Sequence, residues 1–136
     1  LALCEPRWVR RVLLNLLSNA INASPPGGDV RLRSCLSAEL WRVEIEDEGN
    51  GVPSSEYQHI FDRFVRLKSE DRPKLEGSGL GLAICRGIIE LHKGRILAET
   101  GSNGRALRVV FEIPAQPPAP RAPTLTPDEL EPATSR

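Results

Sequence analysis

Asparagine recurs at Asn15, Asn19 and Asn22, a carboxylate at Asp47 precedes Gly49 and Gly51, and Gly77, Gly79 and Gly81 punctuate a third stretch. In this order the three sets read as one ATP site. Amide groups spaced four and three apart share one stripe of a helix, where their oxygens can coordinate Mg²⁺ or meet phosphates. The bland alternative is solvent-exposed polar filler. In Val43-Glu44-Ile45-Glu46-Asp47 the two-residue period of a strand puts Asp47 on the apolar side with Val43 and Ile45. A carboxylate buried there without a hydrogen-bond donor costs several kcal/mol, and the exocyclic amine of adenine is a fitting donor. Alternatively Asp47 opens a turn with Gly49 and Gly51. Gly77, Gly79 and Gly81 lead into a helix whose free amides and positive dipole end attract phosphate, although such glycines can equally mark a turn. A dinucleotide-binding unit is excluded, because the helix after the glycines runs into a hairpin instead of a parallel strand.

The elements that must hold these groups are legible from the same residues. Pro6 suits a first helical turn, and Val9, Val12, Leu13, Leu16, Leu17, Ala20 and Ile21 make one apolar face until Pro25-Pro26-Gly27-Gly28 ends the helix near Ser24. Val30 and Leu32, then Leu40 to Asp47, predict two antiparallel strands joined by a short turn. Ser54-Ser55-Glu56 is expected to cap a short helix ending near Ile60, and Phe61 and Phe64 to anchor the hinge of the next loop. From Val65 to Gly77 no periodicity survives, which predicts a mobile lid; Arg63, Arg66 and Lys68, around its start, either reach the phosphates when it closes or are simply solvated. A second helix is expected over 79–93, with Leu80, Ile84, Ile88 and Leu91 on one face and Gly94 as its cap. Arg95 to Thr100 and Arg105 to Ile113 predict a closing hairpin with Val109, Phe111 and Ile113 pointing inward. Residues 1–114 form one domain on this reading. The proline-rich stretch 115–136 has too few large apolar side chains to offset its ordering entropy and is expected to be a disordered tail or linker.

Composition narrows the function. At 136 residues, 40% of them hydrophobic, the chain suits one domain with a core, and 18 basic against 18 acidic residues exclude a strong nucleic-acid footprint. Three cysteines without metal-ligand spacing argue for reduced thiols in a cytosolic compartment, serving as small apolar filler. No run is long enough to span a membrane and no signal peptide opens the chain. Leu1-Ala2-Leu3-Cys4 resembles the second half of a strand, and with no methionine in the sequence the chain is expected to be a piece of a longer protein.

Residues 1 to 114 resemble the catalytic and ATP-binding domain of bacterial sensor histidine kinases, in the superfamily that also holds gyrase, a heat-shock chaperone and mismatch-repair ATPases. Leu14-Asn15-Leu16-Leu17-Ser18-Asn19-Ala20 looks like that family's N box and Asp47-Glu48-Gly49-Asn50-Gly51 its G1 box. Ile60-Phe61-Asp62-Arg63-Phe64 resembles its F box, and Gly77-Ser78-Gly79-Leu80-Gly81-Leu82-Ala83-Ile84 its G2 box. The resemblance implies an α+β fold: a two-layer α/β sandwich with helices on one face of a mixed, mostly antiparallel sheet, and a flexible ATP lid. It implies Asn19 as the Mg²⁺ ligand and Asn15 as a neighbouring phosphate or metal-shell contact, the two carrying the catalytic role. Asp47 then reads adenine, Gly49 and Gly51 pass close to the base, and Asn22, Arg66, Gly77, Gly79, Leu80 and Gly81 complete the nucleotide contacts.

The hydrolysing branches place a glutamate where this chain has Asn15, so the resemblance favours a kinase that holds ATP for another acceptor. Asn22 replaces a usual lysine or arginine, and Ala106-Leu107 a usual glycine-threonine pair. His59 and His92 lack the phospho-acceptor context and are expected at the surface or at a helix end. The implied acceptor is a histidine on a separate dimerisation domain, with a response regulator downstream. The full-length protein is implied to be a homodimer and this fragment a monomer, on the cytoplasmic side of the inner membrane if anchored there. The rival readings are a degenerate docking module, suggested by Asn22 and Leu107, and an ATPase clamp of the same superfamily.

Overall fold

Pro6 and Pro25 bracket the first helix. In a computed structural model of the chain, which describes residues 4–62 and 81–115, α1 runs over Pro6–Ala23 with proline in its first turn and ends at an extended Ser24. Val9, Val12, Leu16 and Ala20 form its buried stripe, as the spacing predicts. The strands are β1 (Arg31–Leu36), β2 (Leu40–Glu46), β3 (Arg95–Thr100) and β4 (Leu107–Pro114), and α2 spans Gly81–Leu91. They form one sheet in the order β1-β2-β4-β3, and every pairing among the described residues is antiparallel.

Both helices cover the same face of this sheet, which makes the fold an α+β two-layer sandwich. Register explains the core: Val43 pairs with Phe111 and Ile45 with Val109, so two apolar rows meet on the inner face. Val12, Cys85, Ile89 and Phe111 are fully buried between the layers, each large apolar side chain contributing about 1.5–3 kcal/mol. Trp41 meets Phe111 edge to face at 5.8 Å. Phe61, 3% exposed, joins this core as expected of an anchor, whereas Phe64 lies outside the described residues.

The opposite face of the sheet carries an arginine–glutamate lattice. Glu112 accepts from Arg42 at 2.8 Å and Arg95 at 2.6 Å, and Arg108 reaches Glu46 at 3.2 Å. Arginine stems lying over this face help to bury Val110 and Glu112, so β4 is buried on both sides and not only at Val109, Phe111 and Ile113.

Four local expectations change. Residues 54–61 form two 3₁₀ turns instead of a capped helix, because the Glu56 and Tyr57 N–H groups bond three residues back, to Pro53 and Ser54, and no serine side chain caps them. The left-handed position after α2 falls on Lys93 (φ 59°), not Gly94, whose N–H instead bonds the Ile89 carbonyl at 2.9 Å. Leu91 is 85% exposed. The buried face of α2 centres on Cys85, Ile88 and Ile89, and the last turn carries Leu91 off its flank. Finally, β4 starts at Leu107 because Asn103 Oδ1 accepts from the Arg105 and Ala106 N–H groups at 2.9 and 2.8 Å and holds both in the turn. Of the expected strand stub Leu1-Ala2-Leu3-Cys4 only Cys4 is described, and of the expected tail 115–136 only Ala115, whose N–H donates to the Glu39 carbonyl at 2.8 Å; the rest of both, and the lid at 65–77, lie outside the described residues.

Candidate nucleotide site

Asp47 stands where β2 hands over to the loop, and the strand period carries it inward: it is only 6% exposed. Its Oδ1 accepts from the Gly49 N–H at 2.8 Å and the Leu107 N–H at 3.4 Å, while its own N–H donates to the Leu107 carbonyl at 3.2 Å. Two neighbouring strands and the loop therefore fix the carboxylate in one orientation. Such a group recognises a donor without reorganising, which is what reading an amine requires.

The two loop glycines pack against protein main chain. A side chain at Gly49 would run into the carbonyl of Ala23, at the end of α1. Gly51 has φ +69°, and a side chain there would strike the Arg105 carbonyl in the β3–β4 turn. That turn also grips the loop through Arg105 Nη2, which donates to Asn50 Oδ1 at 2.7 Å. Nearby, Glu46 accepts from the Ser102 N–H at 2.5 Å and hydroxyl at 2.6 Å. Burial pushes the Glu46 carboxyl up, but the bonds from Ser102 and Arg108 outweigh it and hold the pKa below the usual value.

Helix α1 presents the asparagines. Asn19 and Asn22 are exposed, whereas Asn15 is half-buried near Cys85 on α2, whose thiol donates to the Val12 carbonyl at 3.9 Å. Burial pushes that thiol up to about 11. Cys85 is apolar filler as expected, but Cys35 is exposed on β1 and Cys4 is half-buried. Gly81 opens the described part of α2, with nothing within 4 Å of where a side chain would start. Arg66, Gly77, Gly79 and Leu80, together with Arg63 and Lys68, lie outside the described residues. Both histidines sit as expected: His59 is exposed beside Asp62, and His92 ends α2, donating from Nδ1 to the Ile88 carbonyl at 2.7 Å while Nε2 accepts from the Glu5 N–H at 3.1 Å.

These donors suit Mg-ATP. Among the described residues no group of three His, Cys, Asp or Glu side chains is placed to cage a metal. Mg²⁺ needs no such cage: it binds through one or two protein oxygens plus phosphates and water, and exposed amide oxygens on α1 can supply that share. Two features escaped the sequence. The Ser24 hydroxyl accepts from the Glu48 N–H at 3.0 Å, and the Arg105–Asn50 bond crosses 55 positions. Serine at a helix end before Pro-Pro was the one local signal for the first, and nothing local announced the second. Among the described residues no helix is long and apolar enough to cross a membrane.

Residues 4–117 match the family model described as "Histidine kinase-, DNA gyrase B-, and HSP90-like ATPase". The sensor protein kinase PmrB of Pseudomonas aeruginosa is 40% identical over 122 residues, covering 89% of this chain and 25% of PmrB. The sensor histidine kinase CusS of Escherichia coli O157:H7 is 38% identical over 110 residues, covering 81% of this chain and 22% of CusS. The chain thus spans about a quarter of the length of these relatives. A solved structure of the mycobacterial sensor histidine kinase MprB superposes with a TM-score of 0.76 at 30% identity, over 85% of this chain and 78% of that one.

Proposed function

The chain belongs to the histidine kinase-, DNA gyrase B- and HSP90-like ATPase family, and we propose that it is the ATP-binding catalytic domain of a two-component sensor histidine kinase. It holds ATP so that the γ-phosphate is open to in-line attack by a histidine on a separate dimerisation domain. That domain, a response regulator that receives the phosphoryl group, and a dimer of the full-length protein acting on the cytoplasmic side are the partners and setting of this reading.

Asp47 accepts the adenine amine. Asn19 offers its amide oxygen to Mg²⁺, with Asn15 and Asn22 beside it toward the phosphates. Bound Mg²⁺ offsets charge on the phosphate oxygens. Asn15 carries an amide, which takes no proton from water. This favours holding ATP for another nucleophile over hydrolysing it. Gly77, Gly79, Leu80, Gly81 and Arg66 complete the phosphate contacts.

The observation that carries the reading is the buried, pre-oriented Asp47. Asp47→Asn tests it, because an asparagine oxygen can still accept from Gly49 and Leu107 while its NH₂ meets the adenine amine donor to donor. Losing a charge-assisted hydrogen bond costs about 1.5–3 kcal/mol, or about 10- to 150-fold in ATP affinity. ITP, whose base lacks the amine, should lose much less. Equal losses for ATP and ITP, or unchanged ATP binding with a sharply lower urea midpoint, would make Asp47 structural.

A further inference from the structure

Ser24 lies where the two halves of the nucleotide site meet. It follows the last residue of α1 in an extended conformation (ψ 147°), and its N–H still donates to the Ala20 carbonyl at 3.1 Å. Its hydroxyl donates to that same carbonyl at 2.9 Å and accepts from the Glu48 N–H at 3.0 Å. One oxygen atom therefore joins the end of the asparagine helix to the main chain immediately after Asp47.

The neighbouring contacts reinforce the join. The Ala23 carbonyl occupies the space a side chain on Gly49 would need, and the Gly49 N–H donates to Asp47 Oδ1 at 2.8 Å. Residues 23 and 24 thus locate three consecutive loop residues: Glu48 by a hydrogen bond, Gly49 by close packing, and Asp47 through Gly49. At a rise of about 1.5 Å per residue, Asn19 and Asn22 sit within about 8 Å of Ser24 along the axis. A helix transmits position rigidly over such a length.

We propose that Ser24 is a positioning residue that sets the span between the adenine-reading carboxylate and the phosphate-facing asparagines, so that one nucleotide engages both ends at once. The proposal rests on the nucleotide reading of the site. Ser24 itself touches neither base nor phosphate. Its effect is on ligands that bridge the two ends, because strain or slack in the span is felt only by a molecule held at both.

The geometry also makes the role separable from folding. The Glu48 N–H lies at the surface, so water can replace a lost serine oxygen there. The other bonds of the loop, from Gly49, Leu107 and Arg105, do not involve Ser24.

The test compares Ser24→Ala and Ser24→Thr with the unaltered chain, titrating adenosine, which meets only the Asp47 end, and Mg-ATP, which meets both. Alanine should leave adenosine affinity within about 2-fold and weaken Mg-ATP by about 3- to 10-fold, and threonine, which keeps the oxygen, should restore it. A urea unfolding curve on each variant confirms that the folded protein is being compared. Equal weakening of adenosine and Mg-ATP, no change in either, or failure of threonine to rescue overturns the positioning role. If the unaltered chain itself binds no Mg-ATP, the nucleotide reading falls first, and that outcome is visible before any variant is made.

Discussion

Gly51→Ala exposes how tightly the loop after Asp47 is built into the fold. Two costs combine at this position. The backbone sits at φ +69°, where an L-residue costs about 1–2 kcal/mol. The new methyl would also strike the Arg105 carbonyl. The Cβ position and the carbonyl are both fixed by the main chain, so neither rotates away, and separating them costs about 1–3 kcal/mol by analogy with overpacked cores. The sum is about 2–5 kcal/mol, a fall in melting temperature of about 10–30 °C for a domain of this size. Gly104 supplies an internal control. It has a similar φ of +77°, but a side chain there would meet nothing within 4 Å, so Gly104→Ala bears the backbone cost alone. Urea unfolding followed by circular dichroism separates the two. Gly51→Ala should lose at least about 1.5 times the free energy of Gly104→Ala, with an unchanged m-value. Equal losses would refute the claim that the β3–β4 turn buttresses the loop by close main-chain approach.

Phe61→Ala should destabilise the domain by about 3–5 kcal/mol, since the ring is 3% exposed in the shared core. A loss under about 1 kcal/mol would show that Phe61 is not a core anchor. The outer lattice predicts an acid limb. Hydrogen bonds from Arg95 and Arg42 hold the Glu112 carboxyl below its ordinary value of 4.5, and Glu46 is lowered as well. A depressed folded pKa contributes stability that is fully present above the unfolded value and is lost as pH falls through the folded one. The urea midpoint should therefore hold from neutrality down to about pH 5 and drop below about pH 4.5. In Glu46→Gln/Glu112→Gln that drop should flatten, and an equally steep acid limb would assign it to other carboxylates.

The boundaries of α1, the two hairpins and the inward turn of Asp47 were legible because each rests on neighbours in sequence: proline at both ends of α1, and a period of two along β2. The asparagine stripe was equally legible, because helical spacing alone places it. What escaped depends on distant partners. Glycine at 49 and 51 reads from the sequence as a turn or as a close approach to the base, whereas its contacts with Ala23 and Arg105 exist because α1 and the β3–β4 turn converge on the loop. Ser24 looked like a helix stop, and its second bond, to Glu48, crosses 24 positions. Lys93 in the left-handed position beside an available Gly94, and Glu112 buried beneath arginines, are likewise outcomes of packing that no local pattern announces.

The most direct measurement of the central claim is an isothermal titration of the folded chain with a non-hydrolysable ATP analogue, with and without Mg²⁺. One saturable site with Kd well below about 1 mM, a binding free energy beyond about −4 kcal/mol, and tighter binding when Mg²⁺ is present is the predicted result. Absence of binding at millimolar nucleotide, in a sample whose circular dichroism shows it folded, would contradict it.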